Sequence, residues 1–369
     1  MSLPLRIVFV LLYLAAGGCL FIFLLNRFLI SMKDRQRKAP SIWTSFVVVM
    51  AGALGLSLVG DGPAWALLPV CILALTVGGE ARRMIVRRRH RGNPPIERQN
   101  APVSLGKPVT TTDLAVIRYE LHCPGWQGSR LRIAHVTDFH VNAHLPLSYY
   151  RMVMERVAAA DPDLVVLTGD FVSTGEAIPL LPDALAGARG RLGTFAVLGN
   201  HDHWVDGPEV ADTIRSTGIV LLENDCRRMA ASDQKGVVIC GYDDPWGHAG
   251  AWRMPRVAPG ELALVLTHTP DNIYRLSKPG ITAVFAGHYH GGQIKIPPFG
   301  ALVVPSSYGR RFDHGHFVVN GTHLFVSAGV GSAAPPFRIY CQPDLFIVDI
   351  IGEKGSCGPA LPNEDRTSG

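Results

Sequence analysis

Five short apolar runs in the last two-thirds of the chain each stop at Asp, Asn or His, and this repeated ending constrains the fold more than any other feature. Ile133 to Thr137 leads into Asp138 and His140, and Leu164 to Gly169 leads into Asp170. Thr194 to Gly199 leads into Asn200-His201-Asp202-His203. Leu264 to Thr267 leads into His268, and Ala283 to Gly287 leads into His288 and His290. Runs of this length and β-branched content read as buried strands. In an open α/β sheet, ligands bind where the strands end at their carboxyl side. Five strands that end in metal- or proton-binding residues therefore imply one shared site. Two-residue spacing in extended chain would also point Asp138 and His140 the same way, and likewise His288 and His290. Any one of these residues has a plainer reading. Asp170 after Thr-Gly suits a helix N-cap, and His268 suits a hydrogen-bonded core histidine. Together they favour a metal centre.

The remaining pattern alternates strand and helix signals and then becomes mostly strand. Val116 to Leu121, Leu131 to Thr137, Leu164 to Thr168, Val237 to Tyr242, Leu262 to Thr267 and Thr282 to Ala286 read as strands. Leu147 to Ala160, Ile178 to Ala188 and Pro208 to Ser216 read as helices. Strands then follow at Gln293 to Ile296, His316 to Val319, His323 to Ser327 and Leu345 to Ile350. This order predicts sheet layers between helices.

The first 89 residues are different. Ile7 to Leu25 and Ile42 to Val59 carry no charge, and Trp65 to Val77 is a shorter apolar run that spans or forms half of a re-entrant hairpin. Crossing a bilayer takes about 20 apolar residues. A cleavable signal peptide fits poorly, because further apolar runs follow the first. Basic clusters flank the runs, at Lys33 to Lys38 and at Arg82, Arg83, Arg87, Arg88, Arg89 and Arg91. The positive-inside rule then gives three crossings, an external N-terminus and a cytoplasmic catalytic region. The net charge of +5 lies largely beside these runs, so it reads as topology, and no nucleic-acid partner is expected. The expected organisation is a membrane region at 1–89, a linker at 90–112, a catalytic domain at 113–351 and a disordered tail at 352–369. Seven cysteines without CxxC spacing argue against a disulfide framework or a thiolate zinc site; Cys123, Cys226, Cys240, Cys341 and Cys357 read as reduced thiols.

Asp138-Phe139-His140, Gly169-Asp170, Gly199-Asn200-His201-Asp202, His268 and Gly287-His288-Tyr289-His290 resemble the five-block signature of the calcineurin-like metallophosphoesterases. The resemblance covers roughly residues 130 to 350. Gly291-Gly292-Gln293 resembles a bacterial subgroup that is often membrane-attached. Phe139, Val141-Asn142 and Tyr289 depart from the commoner residues, and none of them removes a ligand. The resemblance implies a four-layer α-β-β-α sandwich behind the transmembrane helices. It implies two divalent ions (Mn²⁺, Fe, Zn²⁺ or Co²⁺), one on Asp138, His140 and His290, the other on Asn200, His268 and His288, with Asp170 bridging. His201 would be the catalytic acid and Asp202 would orient it, while His203 is a pocket or surface residue. The implied activity is hydrolysis of a phosphodiester or pyrophosphate by a metal-activated hydroxide. A lipid-linked substrate such as UDP-2,3-diacylglucosamine at a bacterial inner membrane is compatible with it. The alternatives are a phosphomonoesterase and an inactive scaffold. Trp246, Trp252 and Val330 to Phe337 are candidates for an apolar wall or for plain packing, and Asp243-Asp244 for a loop near the site.

Overall fold

The computed structural model describes residues 2–30, 35–60, 62–100, 104–128, 130–230, 236–243, 245–247, 256–297 and 299–352. Trp252, Asp244, Cys357 and the tail from 353 lie outside these residues.

Three long helices come first. They are α1 (Leu3–Leu24), continued by a π-helical turn Leu25–Leu29, α2 (Arg35–Val59) and α3 (Pro63–His90). Each is long and apolar enough to cross a membrane. The third run, read from sequence as short, belongs to a continuous helix of 27 residues from Ala64 to His90, because its arginines extend the helix rather than end it. Small residues let the helices approach closely: a Cβ on Gly17 would lie 2.9 Å from the Ala53 Cβ. Tyr13 donates a hydrogen bond to the Trp65 carbonyl at 2.7 Å, tying α1 to α3. Leu5, Val8, Leu11, Val47, Val48, Leu67 and Leu75 face outward, a surface suited to hydrocarbon.

Behind the helices two sheets stack. The seven-stranded sheet runs β1 (Glu97–Gln99), β2 (Ala115–Cys123), β15 (Asp344–Gly352), β3 (Leu131–Val136), β4 (Leu164–Leu167), β5 (Gly193–Ala196) and β6 (Val220–Leu221) in spatial order. The six-stranded sheet runs β13 (Gly315–Val319), β14 (Thr322–Val326), β10 (Ala283–Ala286), β9 (Leu262–Thr267), β8 (Gly236–Tyr242) and β7 (Cys226–Ala230). A small hairpin pairs β11 (Lys295–Ile296) with β12 (Gly300–Ala301). The period-2 pattern builds the layers. Val165 and Leu167 point to the helices α4 (Leu147–Ala159), α5 (Leu181–Ala184) and α6 (Asn200–Ser216), while Leu164 and Val166 point to the other sheet. Phe285, Phe325 and Phe346 fill the space between the sheets, and Val238, Val265 and Val284 face α7 (Ile273–Leu276) on the far side. Three separate cores therefore make the four layers expected from sequence.

Strands β3, β4 and β5 are parallel and in register, Val136 beside Leu167 and Leu167 beside Ala196, so their carboxyl ends are level. Strands β9, β10 and β14 are parallel in the other sheet. Both sets end on one edge of the sandwich, where the site lies.

Several expectations change. The helix read at Ile178 to Ala188 is a 3-10 stretch Gly175–Leu180 followed by the short α5, since Pro179 and Pro182 each remove a backbone donor. The helix read from Pro208 is present, and a shorter helical stretch precedes it from Asn200, the two meeting at a break at Asp206 (φ −166°), which puts Asn200 and His201 on the first turn of that earlier stretch. The linker contributes β1, paired antiparallel with β2. β7 escaped notice because its exposed arginines break the apolar pattern. Cys226 and Cys240 are not both free thiols: they face each other across β7 and β8 and form a disulfide. Cys123 and Cys341 are free.

Candidate active site

Asp138, His140, Asp170, His288 and His290 all have left-handed backbone, with φ of 51°, 46°, 55°, 67° and 50°. Left-handed backbone is uncommon for any residue but glycine, and five such residues at one site mark a strained, overdetermined arrangement. The turns, not extended strand, aim Asp138 and His140 together, which corrects the strand-geometry reading. Phe139 between them points into the core, stacked on Phe171 at 5.6 Å.

The loops close around the carboxylates. A Cβ on Gly199 would meet Asp170 Oδ1 at 2.2 Å, and one on Gly287 would meet Asp138 Oδ2 at 2.2 Å. Glycine before each block therefore permits the contact, which the turn alone did not explain. The His201 amide on the first turn of α6 donates to Asp170 Oδ1 at 2.8 Å, and the His288 amide donates to Asp138 at 3.0 Å.

Two donor sets result, Asp138, His140, Asp170 and His290 in one, and Asp170, His268 and His288 in the other. Asp170 belongs to both. In the first, His140 Nε2 lies 3.1 Å from His290 Nε2 and 3.4 Å from Asp170 Oδ2. In the second, His268 Nε2 lies 3.3 Å from Asp170 Oδ2, 3.1 Å from His288 Nδ1 and 3.2 Å from Asn200 Oδ1. With metal–nitrogen bonds near 2.1 Å, the edge of an octahedral ligand shell is about 3 Å. The donor separations fit that edge. Carboxylate, amide and imidazole donors without thiolate suit a borderline divalent metal.

The electrostatics agree with a site built for cations. Burial pushes Asp138 up to about 7, with Asp170 adding to the rise and His268 opposing it. Burial alone would raise Asp170 too, but His268 and His201 hold it well below the usual carboxylate range. His268 resists burial and rises to about 9 because Asp170 faces it. Burial drives His140 down to about 3, and lowers His288 and His290 well below the usual histidine value. Neutral imidazoles offer lone pairs to a metal.

His201 is beside the donors, its ring 4.6 Å from that of His140, with Trp204 tilted against it at 4.9 Å. Asp202 differs from expectation. Its carboxylate accepts from the amides of Phe171 at 2.7 Å, Val172 at 3.1 Å and Gly199 at 2.9 Å. It thus positions the Asp170 turn through two backbone bonds and caps its own helix with the third, a task set by its location at the third residue of α6. The His203 ring lies against Gly207, 3.1 Å from where a Cβ there would sit. Trp246 lies on the opposite flank, 5.0 Å from the His288 ring and 5.7 Å from that of His268. Asp243 starts the turn that carries Trp246. The segment after Val330 forms support more than wall, although Phe337 is 40% exposed.

Sequence reading missed Arg338. Its side chain is fully buried and donates to the carbonyls of Ala328 at 2.7 Å, Gly331 at 2.9 Å and His290 at 3.3 Å. It holds the 328–331 loop, whose Gly331 amide in turn donates to the Asp138 carbonyl at 2.7 Å. A lone arginine after an apolar stretch gave no periodic signal. Trp204 was also passed over; its place three residues after His201 on one helical turn was the available clue.

A four-layer sandwich with two adjoining Asp/His donor sets at one edge is an arrangement that could hold metal. Residues 131–292 match the family described as calcineurin-like phosphoesterase. An uncharacterized metallophosphoesterase, YkuE from Bacillus subtilis, is 26% identical over 65% of this chain and 84% of its own length. Phosphodiesterase YaeI from Escherichia coli is 27% identical over 64% of this chain and 88% of its own. The UDP-2,3-diacylglucosamine pyrophosphatase LpxG from Chlamydia trachomatis is 25% identical over 45% of this chain and 65% of its own. Residues 131–292 thus form a calcineurin-like phosphoesterase domain, and the protein is a metal-dependent phosphoesterase.

Two substitutions test this geometry. Asp202→Asn sets an amide donor against a backbone donor, so in EDTA it should lower unfolding free energy by about 1–3 kcal/mol. Chemical denaturation of the full chain in detergent measures it; an unchanged midpoint would remove the positioning role. Burial, then Glu223, pushes Asp243 up to about 7, so the folded state keeps this proton where the unfolded chain has lost it. Stability from this group then falls as pH rises from about 4 toward 7. Asp243→Asn should raise the denaturation temperature at pH 8 and leave it unchanged at pH 4.

Proposed function

We propose that the protein is a membrane-anchored phosphodiesterase or pyrophosphatase acting on a lipid-linked phosphoester, and that its two donor sets hold two divalent cations. In this reading Asp138, His140 and His290 hold one ion, Asn200, His268 and His288 hold the other, and Asp170 bridges them. The observation that carries it is the sharing of one buried carboxylate by both sets. Two cations close together need a common anionic ligand to offset their repulsion, and Asp170 is placed to be it. Two such ions supply Lewis acidity to phosphoryl oxygens and acidify water.

The chain's own groups do the rest. His201, held beside His140, donates a proton to the departing oxygen or offsets the charge that gathers on it. Asp202 fixes the Asp170 turn, and Arg338 fixes the loop behind Asp138 and His290. Trp204 and Trp246 flank the donors and give the bound phosphoester apolar walls. The names of the phosphodiesterase and pyrophosphatase relatives support bond types of this kind.

The decisive assay is hydrolysis of bis-p-nitrophenyl phosphate and of p-nitrophenyl phosphate with Mn²⁺, with EDTA, and with Asp170→Asn. Diester cleavage should need metal and vanish in Asp170→Asn. His201→Ala should keep two metals per chain by mass spectrometry and lose about 10²–10⁴-fold in turnover. Preference for the monoester would make it a phosphomonoesterase instead, metal binding without turnover of either ester would mean a narrow natural substrate, and no bound metal would favour the scaffold reading.

In the proposed topology the domain from 113 to 351 is cytoplasmic, on the side of the arginines after residue 81. The Cys226–Cys240 bridge belongs to an oxidising compartment and stands against that side. Register alone brings the two cysteines together, so the arginines weigh more. A fluorescent-protein fusion after Gly352 should light up and an alkaline-phosphatase fusion there should stay silent; the reverse would place the domain outside.

A further inference from the structure

The membrane helices do not merely tether the domain; they are bonded to the loops that carry the metal-site histidines. Asn26, where the apolar run of α1 ends, donates to the Leu302 carbonyl at 2.8 Å and accepts from the Val304 amide at 3.1 Å. Arg27 donates to the Ser307 carbonyl at 2.8 Å. The Ser307 amide donates to Asp271 at 2.8 Å, and Asp271 also accepts from Tyr289, the residue between His288 and His290. Tyr289 is 2.8 Å from Ser306 Oγ as well. On the other side, Glu80 of α3 pairs with Arg310, which donates to the Ala301 carbonyl.

Asn26 and Glu80 are the first strongly polar residues after their helices' apolar stretches. They mark the head-group level on two separate helices, and both hold the segment 301–304. That segment is the base of the β11–β12 hairpin. At about 3.3 Å per residue, its tip is within roughly 10 Å of that level. The tip is apolar, with Phe299 67% and Ile296 44% exposed. The other end of the hairpin continues directly from His290, and a Cβ on Gly292 would meet the Ala301 Cβ at 2.3 Å. The hairpin is therefore packed on the metal-binding block itself.

We infer that the hairpin Lys295–Ala301 inserts Phe299 and Ile296 into the leaflet that borders the helices' basic ends, and that the active site takes its phosphoester at head-group level from a lipid still in the bilayer. A water-facing hairpin would gain nothing from two exposed apolar side chains, whereas burying them in hydrocarbon is favourable. The inference rests on the membrane anchoring and lipid-linked substrate proposed above. The occupant of the apolar tip is the bilayer and not a protein partner, because both helices that hold the hairpin are themselves the chain's candidate spans.

The test uses the full chain in vesicles of phosphatidylethanolamine and phosphatidylglycerol. The photoreactive amino acid p-benzoylphenylalanine, placed at 299, should form lipid adducts seen by mass spectrometry. The same group at Val220, exposed at the far edge of the seven-stranded sheet, should not. Phe299→Asp should lower turnover of UDP-2,3-diacylglucosamine embedded in these vesicles by about tenfold or more and leave soluble bis-p-nitrophenyl phosphate turnover unchanged. No lipid adduct at 299, or an equal fall on both substrates, overturns the inference. If the unsubstituted protein cleaves neither ester, the proposed function fails, while the adducts still decide where the hairpin lies.

Discussion

Two carboxylates, Asp138 and Asp170, are buried out of water at one edge of the sandwich, and this constraint governs its surroundings. Taking an ionised carboxylate out of water costs several kcal/mol unless positive charge or hydrogen bonds repay it. Backbone amides of His201 and His288 repay part, and a cluster of imidazoles faces the rest. The remainder is a demand for cations, which matches the chemistry of the family. The left-handed turns, the glycines at 199 and 287, the Asp202 carboxylate and the buried Arg338 all hold those two carboxylates where they would otherwise relax apart.

The second organising feature is the joint between the three apolar helices and the domain. A flexible linker would have left the site free to face any direction. Instead Arg27, Ser307, Asp271 and Tyr289 form a continuous chain of hydrogen bonds from the end of α1 to the histidine block. Tyr289, which departs from the residue common in the family, is explained by this chain: its hydroxyl reaches Asp271 and Ser306, where a shorter side chain would stop short. A substitution that looks neutral for metal binding thus has a structural task in orienting the site toward the helices.

Much of the site was legible in the sequence because strand ends are local. An apolar run four to six residues long names the strand, and the residue after it is at the strand's end wherever the strand goes. Seven candidate donors were read this way, and the structure brings them together. What stayed hidden depended on contacts between distant segments. Arg338 acts on residues 290 and 328–331, and nothing near it in the chain announces that. Asp202 sits beside His201 in sequence, yet its carboxylate turns to the backbone of 171 and 172. The Cys226–Cys240 pair was invisible because it is set by the register of two strands, one of which lacked an apolar pattern.

By itself the sequence determined the layered α/β class, the three apolar helices and the set of residues able to hold metal, since hydrophobic period and residue chemistry are properties of the chain alone. The tertiary structure decided how those residues converge: through left-handed turns and close glycine contacts, not through strand alternation. It also decided which way the site faces, because the level of Asn26 and Glu80 relative to the hairpin follows from packing between helices and domain. Such packing joins residues nearly 300 positions apart, and no local pattern encodes it.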